Sequence, residues 1–340
     1  MLKSINQEIK SRKNYLNGEK VNSIYLGGGT PSILNVSEIK NILTNIYKSY
    51  PINIDAEITL ECNPEDLTTF KLSSYKDLGI NRLSIGVQSF NDKDLTFMNR
   101  SHTSKEAIKS VNLAKKVGFE NITIDLIYGL PNQTLNAWEE NLDIMFNLGI
   151  NHFSAYSLEV ERKTRLYYLV KNKKIEPLSE RKTVDHFNLL QKKSNEKGFV
   201  HYEISNLARE GYFSKHNTNY WTNKHYIGIG PSAHSYNGNS RRWNFSSNKK
   251  YISNTNYFQQ EILSVSEQYN EYVFTSLRTI WGINKNTIQK VYGHEIKLHF
   301  LKEIKKWQFK KYISTTSNIY TLTSKGKIFA DAIASDLFIV

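Results

Sequence analysis

The chain has 340 residues, of which 39% are hydrophobic and 12% aromatic, and this length suffices for one large domain and a smaller one. Its single cysteine, Cys62, excludes an internal disulfide framework and any iron-sulfur or metal site built only from cysteines of this chain. The sequence contains neither an apolar run of about 18 residues nor an apolar N-terminal segment, so it predicts no membrane span and no secretory signal and favours a cytoplasmic protein.

The formal net charge of +13 favours anionic partners such as phosphates, carboxylates or nucleic acid. The lysines are scattered, however. Their densest group, in residues 302–311, alternates with apolar residues, which is typical of the solvated side of an amphipathic element. The sequence therefore does not favour nucleic-acid binding.

Short β-branched or apolar runs alternate with longer segments of helical period. The predicted strands are residues 23–26, 57–62, 82–87, 122–127, 153–158 and 199–203, and the predicted helices are residues 36–47, 67–78, 105–117, 138–148 and 181–197. Four of these helices are followed by a glycine suited to a left-handed C-cap, namely Gly79, Gly118, Gly149 and Gly198. The alternation predicts an α/β fold with a parallel sheet wrapped by helices, as a barrel or part of one, and a site at the C-terminal ends of its strands.

Glycines or polar residues occur at four of the predicted strand ends. The turn Gly-Gly-Gly-Thr, residues 27–30, follows the first strand, Glu61 ends the second, Gln88 follows the third and Asp125 lies in the fourth. Glycines allow a ligand to approach the backbone closely, although this turn lacks the lysine and the spacing of a phosphate loop. Their common placement indicates a binding site at this edge of the sheet.

The chain contains, in order, the segments YLGGGTPSIL, LECNPEDLT, GINRLSIGVQSFND, IDLIYGLPNQT, HYEISNLA, HNTNYW and YIGIGPSAHSY. In order and spacing they resemble the radical S-adenosylmethionine (SAM) haem-chaperone family called HemW, whose relatives include the oxygen-independent coproporphyrinogen III oxidases. The likeness runs from about Lys3 to the C-terminus, where LTSKGKIFADAIASDLF resembles the closing winged-helix-like module of the family.

The resemblance implies a partial (β/α) radical-SAM-type barrel lacking its first strand in residues 1–205. A connecting region in residues 206–264 and a small winged-helix-like module in residues 265–340 would follow. It also implies that SAM contacts the glycine turn, that an arginine pairs with the SAM carboxylate, and that polar strand-end residues hold the rest of the cofactor. The residues at the matching positions are Gly28, Gly29, Thr30, Glu61, Gln88, Arg100 and Asp125.

The segment HNTNYW has the family's His-Asn-x-x-Tyr-Trp pattern, which is associated with haem binding and distinguishes the chaperones from the oxidases. By this resemblance His216 is the candidate axial ligand of the haem iron, and Tyr220 and Trp221 would pack on the porphyrin. The rival histidines are His201, His225 and His234, and the cations expected to meet the propionates are Lys215, Lys224, Arg241 and Arg242.

The sequence departs from the family where a Cys-x-x-x-Cys-x-x-Cys loop would hold a four-iron four-sulfur cluster. Because Cys62 cannot replace three thiolates, we expect no cluster on this chain, and we interpret the difference as an N-terminal truncation, from an incomplete gene model or a fragment. Removal of the first strand would leave residues 23–26 as an open sheet edge.

Three hypotheses for the function remain. The first is a radical-SAM-type haem chaperone that binds haem and SAM and delivers haem to an acceptor protein. The second is an oxygen-independent coproporphyrinogen III oxidase-like enzyme of porphyrin biosynthesis, and the third is a cluster-free fragment with residual ligand binding. Peripheral contact with a membrane and formation of a homodimer stay open.

Overall fold

The structure is a computed structural model and describes residues 1–176 and 179–340. Its helices are α1 (Leu2–Ser11), α2 (Val36–Ser49), α3 (Thr69–Asp77), α4 (Asp92–Phe97), α5 (Ser104–Val117), α6 (Leu135–Asn147), α7 (Arg165–Lys171), α8 (Glu180–Glu196), α9 (Lys215–Trp221), α10 (Asn248–Ser253), α11 (Val265–Leu277), α12 (Lys285–Tyr292), α13 (His294–Glu303), α14 (Lys305–Phe309) and α15 (Ala330–Leu337). Its strands are β1 (Val21–Leu26), β2 (Ile52–Cys62), β3 (Arg82–Gln88), β4 (Asn121–Tyr128), β5 (His152–Ser157), β6 (Val200–His201), β7 (Asn206–Ala208), β8 (His234–Tyr236), β9 (Ser240–Asn244), β10 (Phe258–Ile262), β11 (Ile283–Asn284), β12 (Ile313–Thr316) and β13 (Ile319–Leu322).

The predicted strands and helices are confirmed as β1 to β6, α2, α3, α5, α6 and α8, with bounds that differ by a few residues. The strand predicted over residues 199–203 is shorter, because the chain turns back at Glu203, whose backbone exchanges hydrogen bonds with that of Asn206 and so leads into β7. The four glycines predicted to end helices all have positive φ, from 61° at Gly149 to 94° at Gly118.

Seven strands form one sheet in the order β1-β2-β3-β4-β5-β7-β6. Strands β2, β3, β4 and β5 are parallel neighbours, whereas β7 pairs antiparallel with both β5 and β6. Because parallel strands point the same way, the C-terminal ends of β2 to β5 share one edge of the sheet. The α/β fold with a parallel sheet is thus confirmed.

Polar residues alternate with core residues along the central strands of this sheet. On β4, Ile124 is fully buried, while its neighbour Thr123 directs its hydroxyl to Nδ1 of His152, 2.7 Å away. The other ring nitrogen of His152 lies 2.8 Å from the hydroxyl of Tyr202, and burial lowers the pKa of this histidine well below its usual value. Thr123, His152 and Tyr202 therefore form a buried hydrogen-bond network on one face of the sheet.

The described residues form two compact units. The barrel unit consists of residues 24–36 and 57–213 and contains α3 to α8 with most of the seven-stranded sheet. The terminal unit consists of residues 1–23, 37–56 and 214–340 and contains two three-stranded sheets, in the orders β10-β9-β8 and β11-β13-β12. The boundaries predicted after residues 205 and 264 stay predictions.

Helices α11 to α15 and the sheet β11-β13-β12 make up the C-terminal part of the terminal unit. Its core includes the fully buried side chains of Val273, Phe300, Ile333 and Leu337. The winged-helix-like character of this segment stays a prediction. Among the helices of residues 1–176 and 179–340, none combines the length and the apolar character that a membrane-spanning segment requires.

A buried carboxylate joins α1 to the middle of the terminal unit. Glu8 accepts hydrogen bonds from the backbone N–H of Gly230 at 2.9 Å, the Tyr251 hydroxyl at 2.7 Å, and the Asn244 amide at 2.9 Å. Its other close partner is the Arg12 guanidinium, 3.2 Å away. Gly230, Asn244 and Tyr251 lie more than two hundred residues after Glu8 in the sequence, whereas Arg12 lies on the next turn of α1. Glu8 therefore connects segments that are distant in sequence.

We expect Glu8→Ala to lower the free energy of unfolding by about 3 to 5 kcal/mol, because the substitution leaves the buried guanidinium of Arg12 without its carboxylate. Urea denaturation followed by circular dichroism measures the effect. Glu295→Ala, at an exposed glutamate of the same unit, is the control and should cost less than about 1 kcal/mol. Equal losses in the two variants would contradict the structural role of Glu8.

Candidate functional site

The three glycines that follow β1 differ in what a side chain would meet there. A Cβ at Gly27 would overlap Cε1 of Tyr25 and lie 2.5 Å from the Glu61 carboxylate, so a side chain there would displace one or both. Gly28 has φ of 80°, in the left-handed region that side chains disfavour. A Cβ at Gly29 would meet no atom of the described residues within 4 Å, so the glycine leaves its backbone open to approach. The turn therefore presents a bare backbone at the strand end.

Glu61, at the end of β2, holds this turn in place. Its Oε1 accepts the Tyr25 hydroxyl at 2.7 Å, and its Oε2 accepts the N–H of Gly28 at 3.0 Å. Burial, with the charges of Glu61 and Asp125, raises the pKa of the Tyr25 phenol. The sequence analysis did not assign a role to Tyr25. Its position two residues before Gly27 could have indicated one, because alternate residues of an extended chain face the same side.

The side chains of Gln88 and Arg100 both lie close to the Cα of Gly86. Gln88 has φ of 66°, and the register of β3 against β4 shifts just before it, which turns its side chain back along the strand. A Cβ at Gly86 would lie 2.9 Å from Nε2 of Gln88 and 3.4 Å from an Nη of Arg100. That Nη donates to the Gly86 carbonyl at 3.1 Å and to Oδ1 of Asn63 at 2.9 Å. Neither Gly86 nor Asn63 was predicted, although Asn63 directly follows β2.

Asp125 lies on β4 with its carboxylate toward β3, where Ser84 donates a hydrogen bond at 3.2 Å. Burial raises the pKa of Asp125 to about 6, and the charge of Glu61 acts in the same direction. Hydrogen bonds from Ser154 and Ser84 oppose this shift. The pKa of Asp125 is therefore raised above the usual value of an aspartate.

The predicted SAM residues all lie at or near the C-terminal edge of the sheet in the barrel unit. The structure brings Gly28 into contact with Glu61, and Gln88 close to Arg100. Thr30 precedes the short 3₁₀ helix Pro31–Ile33 and accepts the N–H of Ile33 at 3.2 Å through its carbonyl. The roles of these residues toward SAM stay predictions.

The haem-motif residues lie on α9 in the terminal unit. The hydroxyl of Ser214 accepts the N–H of Asn217 and caps the helix. His216 and Tyr220 are one turn apart, and their rings meet edge to face with centroids 4.9 Å apart. The ring of Trp221 has a different neighbour, the guanidinium of Arg278, whose Cζ lies 6.0 Å from the ring centroid. The structure thus joins two of the three predicted haem residues.

The rival histidines have partners of their own. The Nε2 of His201 lies 2.8 Å from a backbone carbonyl oxygen three residues along. The Nδ1 of His225 lies 2.8 Å from the carboxylate of Glu19. His234 stacks on Trp243 with ring centroids 6.3 Å apart, and burial lowers its pKa. The choice of iron ligand among these histidines stays a prediction.

Most of the cations expected to meet the propionates are already engaged. Lys215 lies 3.0 Å from the carboxylate of Asp55, and Arg241 lies 2.5 Å from that of Glu271. Arg242 stacks on an aromatic ring, 3.5 Å from its centroid. Of the four, only Lys224 has no ion pair or cation-π contact among the described residues.

Cys62 does not fit the role of a cluster ligand. It is buried, its Sγ lies 3.6 Å from the carbonyl oxygen of Leu60, and burial raises the pKa of the thiol. In residues 1–176 and 179–340, no group of three or more His, Cys, Asp or Glu side chains is placed to hold a metal ion.

The sequence is similar to that of known proteins of one family. Residues 3–145 match the family described as "Radical SAM superfamily", which implies SAM and a four-iron four-sulfur cluster as cofactors. The "Heme chaperone HemW" of Bacillus subtilis (strain 168) is 34% identical over 317 residues, covering 92% of this chain and 84% of the relative. The protein of the same name from Lactococcus lactis subsp. lactis (strain IL1403) is 35% identical over 289 residues, covering 82% of this chain and 76% of the relative.

A solved structure described as "Coproporphyrinogen III oxidase (HemN) from Escherichia coli is a Radical SAM enzyme" matches 99% of this chain and 82% of its own, with a TM-score of 0.86. At 22% sequence identity this likeness establishes the radical SAM fold alone. The identity to the chaperones extends over most of both chains. By that criterion the chain belongs to the HemW haem chaperone family of radical SAM proteins.

Proposed function

We propose that the chain is a haem chaperone, which binds haem and SAM and delivers haem to an acceptor protein. The observation that carries the proposal is the contact between His216 and Tyr220 on α9, in a chain whose relatives are named heme chaperones. His216 would supply an imidazole nitrogen to the iron, and Tyr220, 38% exposed, would pack on the porphyrin. Lys224 would pair with a propionate.

The edge of the sheet in the barrel unit would hold SAM. When bound, SAM presents a carboxylate, an ammonium group and two ribose hydroxyls to these residues. Both hydrogen bonds that hold Arg100 come from one Nη, so its other Nη would donate a charge-assisted hydrogen bond to the carboxylate. Gln88 can donate and accept at once, and Gly29 offers an uncovered backbone.

The oxidase hypothesis has less support, since the likeness to the Escherichia coli oxidase is a likeness of fold at 22% identity. The same fold serves both functions, and a difference between them depends on side chains. The contact between His216 and Tyr220 favours a binding protein, because an iron ligand is needed to hold haem but not to decarboxylate an iron-free porphyrinogen.

Arg100→Ala should weaken SAM binding by about 1.5 to 3 kcal/mol, the usual contribution of a hydrogen bond to a charged group. Isothermal titration calorimetry with SAM measures the change. Lys105→Ala, at an exposed cation on α5, is the control and should leave the affinity unchanged. An Arg100→Ala protein that binds SAM as the parent does would remove Arg100 from the site.

SAM binding should depend on pH through Asp125. Because burial raises the pKa of Asp125 to about 6, its carboxyl group gains a proton as the pH falls from about 7.5 to about 5. The ionised form accepts stronger, charge-assisted hydrogen bonds from the two ribose hydroxyls than the neutral form, so the affinity should fall several-fold over this range. Asp125→Asn should flatten this profile, as measured by equilibrium dialysis. Identical slopes in parent and variant would exclude the role.

His216→Ala should shift the Soret band of added hemin and shorten the retention of haem on a desalting column, since the iron loses its imidazole ligand. Circular dichroism checks that the fold is intact, and His294→Ala, at an exposed histidine, is the matched control. A parent spectrum in the His216→Ala protein would transfer the role to another histidine, and His234→Ala would then be the next variant to test.

A further inference from the structure

The connection between β5 and α8 carries a helix that buries none of its side chains. Five of the seven residues of α7, in the sequence RLYYLVK, are aliphatic or aromatic. Tyr168 is 51% exposed, and the edge of its ring contacts Tyr167 with centroids 5.5 Å apart. A surface helix normally packs its apolar stripe against a core. On α7 the apolar stripe is only half-buried, and Tyr168 remains exposed beside it.

Cations accompany this exposed aromatic ring. Arg165 and Lys171 lie one turn before and one turn after Tyr168, and all three side chains are exposed. At a rise of 1.5 Å per residue, the two cations are about 9 Å apart along the helix axis. Neither forms an ion pair within the described residues.

The connection between β5 and α8 carries a net positive charge. Residues 158–176 contain six cations, Arg162, Lys163, Arg165, Lys171, Lys173 and Lys174, against the three acids Glu159, Glu161 and Glu176. The connection leaves β5 at its C-terminal end, and β5 is parallel to β4. It therefore starts at the edge of the sheet where the strand-end residues of the barrel unit are found.

We propose that α7 is a porphyrin-binding surface, on which Tyr168 stacks against the flat macrocycle while Arg165 and Lys171 pair with its two propionates. The inference rests on the proposed haem chaperone function, because that function makes a porphyrin dicarboxylate the ligand. A flat apolar ring with two carboxylates on one side matches an exposed aromatic ring between two unpaired cations.

Two observations favour this occupant over others. On α9 the only cation, Lys215, forms an ion pair. The helix α9 therefore offers little positive charge to two carboxylates, whereas Arg165 and Lys171 of α7 form no ion pair within the described residues. A membrane-binding helix presents a wide apolar stripe, but on α7 Leu166, Leu169 and Val170 are half-buried, and only Tyr168 is exposed among its apolar residues. The exposed face is thus narrow and suits one ring.

The test uses deuteroporphyrin IX, a metal-free porphyrin with two propionates, titrated by fluorescence against the full chain. The double variant Arg165→Gln/Lys171→Gln should bind it about tenfold more weakly, and Tyr168→Ala several-fold more weakly. Lys105→Gln/Lys109→Gln on α5, which removes two exposed positive charges elsewhere in the same unit, should bind as the parent does. Because α7 buries no side chain, the variants should keep the thermal unfolding midpoint of the parent.

The outcomes separate this inference from the proposed function. His216→Ala should keep its affinity for deuteroporphyrin, which has no iron, while the Soret band of added hemin shifts and haem is retained less well. If the parent binds hemin but the α7 variants bind deuteroporphyrin as tightly as the parent, the inference is wrong and the chaperone function stands. A parent that binds neither compound would overturn both. Co-sedimentation with phosphatidylglycerol vesicles that the double variant loses, with unchanged porphyrin binding, would assign α7 to lipid instead.

Discussion

The contact between Glu61 and the glycine turn is the constraint on which the candidate site depends. Both oxygens of this carboxylate are used, one by the Tyr25 hydroxyl and one by the N–H of Gly28. The carboxylate occupies the space where Gly27 would carry a Cβ, so the turn can approach β2 only without a side chain. The two hydrogen bonds accepted by this half-buried carboxylate hold the bare backbone of the turn against the end of β2.

The direction of the strands determines what faces this turn. Because β2 to β5 are parallel, residues that follow or end different strands meet at one edge although they are far apart in sequence. The left-handed backbone at Gln88 carries its amide back over Gly86, where it meets Arg100. Strain of this kind persists when the surroundings determine it, and here the glycine at position 86 makes the room.

The two helices proposed to bind haem, α9 and α7, differ in how their positive charges are paired. On α9, Lys215 is paired with Asp55, and the ring of His216 contacts that of Tyr220, an arrangement that the proposed iron ligation would use. On α7 the cations are unpaired and the aromatic residue is exposed, which suits recognition of the periphery of a porphyrin. In the proposed function, iron ligation and charge recognition would belong to separate helices, α9 in the terminal unit and α7 in the barrel unit.

The sequence by itself determined the alternation of β1 to β6 with α2, α3, α5, α6 and α8, because hydrophobic period and C-cap glycines such as Gly118 act over a few neighbouring residues. It also indicated which residues stand at strand ends, and motif order indicated the family. Only the tertiary structure showed that Glu61 binds Gly28, 33 positions away, that Arg100 binds Asn63, 37 positions away, and that Lys215 is paired with Asp55, 160 positions away. Periodicity and propensity carry no information about such partners, since the contacts form only when folding brings distant segments together.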